Sequence, residues 1–271
     1  MTSDGKRISY IARHSGSQKS NLVICNSDLD DCWTGNAYDA LSPIRTDLSG
    51  FHLSYIATKG KKQGVITVNL QESGLKETES NWYDKIQSFE ISEGGGYLAF
   101  LATQGEQDLL VKNGAETRVP HYDSAFDIAV SKQGQVIYTA MVKNSVRAYL
   151  DGRRVGSDYA EINAPVFSPD GGNYAYVVKK GEKYAVAVNG KEGPSFDMAV
   201  EPRFSPDGSR VVYRARNRGE RFVVVGDTKA QTVKEHPHYE AVWRVNFAPD
   251  GKSVAYGVKM GQQFWWKHEN L

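Results

Sequence analysis

Five acidic side chains occupy the same place in a repeating pattern along the chain. Each follows an aromatic residue and stands ten residues before the third residue of a four-residue turn: Asp39, Asp84, Asp123, Asp197 and Glu240. Carboxylates gathered at one place can attract a cationic peptide, an amine or a divalent metal ion. A local alternative stays open, because an Asp side chain also caps backbone amides where a chain turns into a strand.

Basic side chains gather around a second set of turns. The residues concerned are Lys61, Lys62, Lys180, Lys183, Arg216, Arg218 and Arg221. A surface that is acidic at its centre and basic at its rim is a specific electrostatic target. We therefore predict that both sets bind a protein or peptide partner. Lysine-rich hairpin tips also serve solubility, and this alternative stays open.

The motifs of common enzyme classes do not occur in this sequence. It contains no G-x-S-x-G nucleophile elbow, no H-E-x-x-H zinc motif and no glycine-rich phosphate loop. His236-Pro237-His238 brings two imidazoles together, but a metal needs further ligands, so an exposed loop is predicted there. We predict that the protein is not an enzyme and holds neither a cofactor nor a metal.

Composition limits the kinds of partner. The chain of 271 residues has a formal net charge of +1, which gives no general attraction for nucleic acid. No apolar segment approaches the ~20 residues that cross a bilayer, so no membrane insertion is predicted. Cys25 and Cys32 flank a six-residue polar segment. They either bridge one hairpin, which implies an oxidising compartment, or remain free thiols.

A repeat of about 40 residues organises the whole chain. Four-residue turns, best preserved as Ser-Pro-Asp-Gly, recur at 2–5, 47–50, 92–95, 131–134, 168–171, 205–208 and 248–251. An aromatic residue follows the third turn residue by six positions in six repeats. Tyr138 follows by five, which predicts a one-residue deletion in the fourth repeat.

Short β-strands separated by turns fill each repeat. Runs such as "RVVYRAR" and "RFVVVG" have strand composition, and Asn-Gly or Asp-Gly pairs mark hairpins. Four strands in about 40 residues are typical of one propeller blade. We predict an all-β protein, a β-propeller of four-stranded antiparallel blades over 1–271, with seven blades and six as the alternative. The first and last units lack a strand, which predicts that the chain is part of a longer protein.

Blade topology sorts the turns onto two faces. With strands A to D in order, the A–B and C–D turns lie at one end of a blade, and the B–C turns and D-to-A crossings lie at the other. The five acids precede strand A, and the seven basic residues surround B–C turns. Both sets are therefore predicted on one face, which would be the top face and channel mouth.

The motifs "FSPDGSRVVYRAR" and "VAVNGKEGPSFD" resemble the TolB-like, WD40-like propeller repeat. The resemblance covers nearly the whole chain and is strongest in the last three repeats. It implies a binding scaffold, or the propeller domain that gates some serine peptidases. It also favours the periplasm or another exported location, whereas the first residues contain no hydrophobic signal segment, which favours the cytoplasm.

Two classes of function follow from these observations. We predict a non-enzymatic scaffold that binds a protein or peptide through its top-face loops and channel mouth. The alternatives are a propeller that binds a small ligand or acts as a lyase, and the gating propeller of a serine peptidase whose catalytic domain lies elsewhere.

Overall fold

The fold is described from a computed structural model, in which residues 2–13, 15–72, 74–228 and 233–271 are described. Within these ranges the chain forms strands and turns but no helix, and hence no helix long and apolar enough to cross a membrane. The strands build seven consecutive antiparallel sheets, each corresponding to one sequence repeat. The predicted β-propeller blades are thus confirmed, and seven sheets agree with the predicted number.

The chain divides into two compact units, Met1–His121 and Tyr122–Leu271. Each unit is a run of consecutive blades, with three sheets in the first and four in the second. That all blades form a single domain stays a prediction.

The first unit contains blades 1 to 3. Blade 1 has strands B, C and D: β1 (Arg7–Arg13), β2 (Ser20–Asn26) and β3 (Cys32–Thr34). Blade 2 has a strand A in two pieces and then B, C and D: β4 (Ala40–Leu41), β5 (Arg45–Thr46), β6 (His52–Lys59), β7 (Lys62–Asn69) and β8 (Thr78–Glu79). Blade 3 runs from A to D: β9 (Lys85–Ile91), β10 (Leu98–Gln104), β11 (Gln107–Lys112) and β12 (Ala115–Arg118).

The second unit contains blades 4 to 7. Blade 4 is β13 (Ser124–Val130), β14 (Val136–Val142), β15 (Ser145–Leu150) and β16 (Arg153–Tyr159). Blade 5 is β17 (Glu161–Phe167), β18 (Tyr174–Lys180), β19 (Lys183–Val188) and β20 (Lys191–Phe196). Blade 6 is β21 (Met198–Phe204), β22 (Arg210–Asn217), β23 (Glu220–Asp227) and β24 (Val233–Glu235). Blade 7 has strands A to C: β25 (Ala241–Phe247), β26 (Ser253–Met260) and β27 (Gln263–Asn270).

The A–B turns owe their sequence to a local hydrogen-bond pattern. In blade 6 the Ser205 hydroxyl donates to Asp207 at 2.6 Å and accepts from the Arg210 amide at 2.9 Å. Gly208 closes the turn with φ +69°, a conformation that glycine adopts without strain. Hydrogen bonds from Ser205 and Ser209 lower the pKa of Asp207 to about 2. These contacts explain why Ser, Asp and Gly recur together.

The deletion predicted in the fourth repeat lies in its A–B turn. There the Ser131 amide bonds the carbonyl of Gln135, four residues on, whereas the Ser168 amide of blade 5 bonds that of Asn173, five residues on. Both N–O distances are 2.9 Å. One turn residue is therefore absent while the hairpin remains closed.

The two repeated aromatic positions form packed pairs in the core. The crossing aromatic before strand A lies against the aromatic of strand B seventeen residues later. The ring centroids are 6.5 Å apart for Tyr38–Tyr55, 5.5 Å for Tyr83–Phe100, 6.2 Å for Phe196–Tyr213 and 6.3 Å for Tyr239–Tyr256. All eight residues except Tyr239 are buried. Apolar side chains from consecutive blades join these pairs and form a core between the sheets.

The last strand differs from the other C strands of the second unit. Among the described strands, β27 pairs only with β26, and the side chains of Phe264, Trp265 and Trp266 are 68%, 49% and 66% exposed. Strands β19 and β23 occupy the same position in blades 5 and 6. They pair with a D strand as well, and their central side chains are buried.

Candidate functional site

All five predicted acids accept a hydrogen bond from a backbone amide in the B–C turn of their own blade. The carboxylate-to-amide distances are 2.6 Å for Asp39–Gly60, 2.7 Å for Asp84–Gly105, 2.7 Å for Asp123–Lys143, 2.6 Å for Asp197–Arg218 and 2.7 Å for Glu240–Gly261. We call this bond the hairpin brace. It corresponds to the local capping alternative raised by the sequence.

Backbone geometry places each acid next to its turn. The amide of Asp39 donates to the carbonyl of Thr58 at 2.9 Å, near the end of strand B, and Asp84 donates to Thr103 at 3.0 Å. The carboxylate then reaches the amide of the turn residue that follows. That residue has a positive φ in every braced hairpin, including two that are not glycine, Lys143 (58°) and Arg218 (51°). Such a conformation costs a non-glycine residue roughly 1–2 kcal/mol, which the brace partly offsets.

The acidic and basic sets are interleaved within each unit. A cation at the start of strand C in one blade contacts the acid that braces the next blade. Lys62 Nζ lies 2.7 Å from Asp84, Lys183 Nζ lies 2.5 Å from Asp197, and Arg221 Nη1 donates to the Glu240 carbonyl at 2.6 Å.

These contacts lower the pKa of two carboxyl groups. The Gly105 amide and the Lys62 ammonium hold the pKa of Asp84 below its usual value. For Asp197 the Lys183 ammonium contributes most, followed by the Arg218 amide. Both groups therefore stay ionised at neutral pH, with a hydrogen-bonded cation on each.

Blade 5 is the exception that the sequence marks by Ala160. Its amide donates to the Lys179 carbonyl at 3.2 Å, so the backbone follows the same path as in the braced blades. The residue that starts strand C of the preceding blade is Ser145 instead of a cation. The brace acid and the cation are both absent here, although strand C also begins with an uncharged residue, Ser20 or Gln107, before the braced blades 2 and 4.

The remaining basic residues expose their charge at the hairpin tips. Lys61 and Arg218 are exposed, and neither side chain has an acidic partner among the residues described. Lys180 is 71% exposed, with its Nζ 3.7 Å from Glu192. The positive charge of Arg216 makes a small contribution to the lowered pKa of Asp197.

The two cysteines and the histidine pair take defined positions. Cys25 and Cys32 are opposite each other on β2 and β3 and are joined by a disulfide.

The expectation of an exposed loop at the histidines was wrong for His236, which is 3% exposed and has its pKa lowered by burial. His238 stacks on Phe222 with the ring centroids 4.1 Å apart. Sequence alone did not reveal this stacking, because Phe222 lies on β23 and His238 follows β24. No cluster of His, Cys, Asp and Glu fit to hold a metal occurs among the described residues.

A cleft of about 500 Å³ opens between blades 2 and 3 in the first unit. Its walls combine apolar residues such as Leu53 and Phe100 with His52, Glu72 and Lys76. The A–B turn glycine Gly95 and the C–D turn of blade 3 also line it. The cleft therefore lies at the end of the blades opposite to the hairpin braces.

The sequence matches no protein-family model and no curated protein. Among solved structures, it is similar to TolB from Acinetobacter baumannii at 17% identity, with a TM-score of 0.43, over 87% of this chain and 65% of that one. The chain thus spans about 65% of the length of that protein. The consecutive antiparallel sheets are those of a β-propeller fold.

Other propellers are similar to a comparable degree. An oligogalacturonate lyase in complex with manganese matches at 13% identity and a TM-score of 0.49, over 100% of this chain and 87% of that one. The β-propeller domain of the Trilobed protease from Pyrococcus furiosus matches at 13% identity and a TM-score of 0.47, over 98% of this chain and 92% of that one. The printed names of these similar structures differ in activity.

Proposed function

We propose that this protein is a non-enzymatic scaffold that binds a protein or peptide partner at the B–C ends of its blades. The observation that carries the proposal is the hairpin brace, which repeats in five blades at nearly the same distance. A brace ties the tip of each B–C hairpin to the crossing before strand A. Loops held in this way lose little conformational entropy when a partner binds.

Charge supports the same surface. The brace acids are occupied by backbone amides, and those of blades 3 and 6 also bind lysines, so they offer few free negative charges. The exposed tips instead carry Lys61 in the first unit, and Lys180 and Arg218 in the second. Positive charges on preorganised loops favour a partner whose contact surface is rich in Asp and Glu. The acids of the predicted channel mouth then act by positioning the basic residues.

The test uses a variant in which three tip charges are reversed, Lys61→Glu, Lys180→Glu and Arg218→Glu. The brace of blade 6 survives because it uses the main-chain amide of Arg218. Both proteins serve as baits in native cell extract, with chemical cross-linking and mass spectrometry of the captured proteins. We expect at least one partner that cross-links to B–C hairpins of the parent and is lost with the variant.

A matched control reverses three charges at the other end of the blades, Arg153→Glu, Lys191→Glu and Lys252→Glu. This variant should keep the partner. Equal capture by the tip variant, or cross-links only to the A–B and C–D turns, would reject the B–C surface. If no bait captures a protein, the small-ligand alternative and the cleft of the first unit become the better hypothesis.

We further propose a periplasmic or otherwise exported location, because the Cys25–Cys32 disulfide suits an oxidising compartment. Alkylation of the protein immediately after cell lysis, followed by mass spectrometry, measures its free thiols. We expect no alkylated cysteine until a reductant is added. Two alkylated cysteines in the unreduced sample would favour the cytoplasm.

A further inference from the structure

The A strands of blades 5 to 7 share a β-bulge with a strained residue. The register against strand B shifts between Asn163 and Val166, between Val200 and Arg203, and between Trp243 and Asn246. In each bulge one non-glycine residue has a positive φ: Ala164 at 51°, Glu201 at 55° and Arg244 at 53°. Bulges of this kind turn side chains in new directions and are frequent beside binding sites.

The bulge itself does not require charged residues. Blade 5 forms it with Ala164 and places Val166 two positions later. At the same two positions blade 6 has Glu201 and Arg203, and blade 7 has Arg244 and Asn246. Polar groups here are therefore specific to blades 6 and 7, and the shared backbone geometry does not account for them.

Two sets of hydrogen bonds join blades 6 and 7 near these bulges. Arg203 Nη1 donates to Asn246 Oδ1 at 2.8 Å, and Asn246 Nδ2 donates to the Arg244 carbonyl at 3.4 Å. Glu201 makes a separate contact, in which its Oε1 accepts from Arg214 at 2.5 Å. Arg214 also donates to the Val242 carbonyl at 3.0 Å, so it is committed to holding blades 6 and 7 together.

Two positive charges remain without an acid. Arg203 and Arg244 are both exposed, and neither guanidinium contacts a carboxylate in the described parts of the chain. Arg203 bonds a neutral amide, and no side-chain contact of Arg244 is found among those residues. Asn246 connects the two residues, since it accepts from Arg203 and donates to the Arg244 carbonyl. Two cations on adjacent blades with no acid beside them attract an anion.

We propose that Arg203, Arg244 and Asn246 form an oxyanion-binding site on the A strands of blades 6 and 7. A guanidinium fork matches the paired oxygens of a carboxylate or phosphate, and an arginine pair with an amide can bind one such group from several directions. The ligand is a molecule or a side chain that carries a carboxylate or phosphate. This site does not depend on the proposed scaffold function, because it uses A strands instead of hairpin tips.

Titration calorimetry at constant ionic strength tests the site with two probes, citrate and inorganic phosphate. We expect at least one of them to bind the parent protein, and the tighter probe indicates which group the site selects. The test variant combines Arg203→Gln with Arg244→Asn, since asparagine tolerates positive φ better than most residues. We expect binding at least tenfold weaker, with unchanged circular dichroism. Arg203→Lys keeps the charge without the fork and should weaken binding by less.

A control variant removes two charges elsewhere in the second unit, Arg153→Gln with Lys252→Gln. Retained affinity in this control together with loss in the test variant supports the site. The proposal is overturned if neither probe binds the parent, if the test variant binds as the parent does, or if the control loses as much affinity as the test variant.

Discussion

Replacing Tyr213 with alanine is expected to lower the free energy of unfolding by about 3–5 kcal/mol, the range for removing a large buried aromatic side chain. Tyr213 lies in the middle of strand B in blade 6 and is 2% exposed. Its ring packs against Phe196, the crossing aromatic before strand A. Because this pair recurs in other blades, the loss reports on the packing of the repeat itself. Urea unfolding curves of parent and variant measure it.

The substitution Tyr213→Phe separates the contribution of the ring to stability from that of the hydroxyl group. The hydroxyl is buried and finds no hydrogen-bond partner in the described structure, and burial raises the pKa of the phenol. An unpaired buried polar group is unfavourable, so its removal should change stability by less than about 1 kcal/mol or increase it. A loss as large as that of Tyr213→Ala would contradict this view and would indicate a bound group at the hydroxyl.

Introducing the missing brace by Ala160→Asp is expected to raise the free energy of unfolding by about 0.5–1 kcal/mol, by analogy with side-chain caps of backbone amides. The backbone at Ala160 already follows the path of the braced blades, and Gly181 has a φ of 61° at the start of the turn. The new carboxylate can therefore reach the Gly181 amide without backbone movement. Thermal and urea unfolding measure the gain.

The substitution Asp123→Ala in blade 4 removes an existing brace and is the converse test. Among the described residues, the Asp123 carboxylate accepts a hydrogen bond from the Lys143 amide alone, so the substitution removes the brace and little else. We expect a loss of about 1 kcal/mol. Lys143→Gly in the same background relieves the positive φ and should recover part of it. Stability unchanged in both Asp123→Ala and Ala160→Asp would show that the acids do not brace the hairpins.

Much of the fold follows from the sequence, because its signals are local and repeated. Ser-Pro-Asp-Gly turns encode their own hydrogen bonds, so the A–B hairpins are readable one repeat at a time. In six repeats an aromatic follows the third turn residue by six positions, and this spacing places Tyr213 and Tyr256 at the same position of strand B in their blades. Even the deletion in the fourth repeat is visible as a change of one in that spacing.

The role of the acids depended on tertiary structure. Their spacing before strand A is evident in the sequence, but the atoms they bind are main-chain amides about twenty residues later. A backbone amide has the same chemistry in every residue type. The identity of Gly60 or Arg218 therefore does not indicate that its amide binds a carboxylate. The sequence therefore predicted where the carboxylates lie and left open whether they face a ligand or the chain.

By itself, the sequence determined the repeat, the strand order, the turns and the spacing of the aromatic residues, since each depends on residues close in the chain. Only the tertiary structure decided which charges are neutralised and which stay free. Lys62 and Lys183 meet acids of the next blade, whereas Arg203 and Arg244 meet none among the described residues. The physical reason is that a Coulomb interaction depends on the distance between two charged groups, and here these groups lie on different blades. A bulge also turns a side chain in a new direction without requiring a particular residue type, so the sequence does not indicate it.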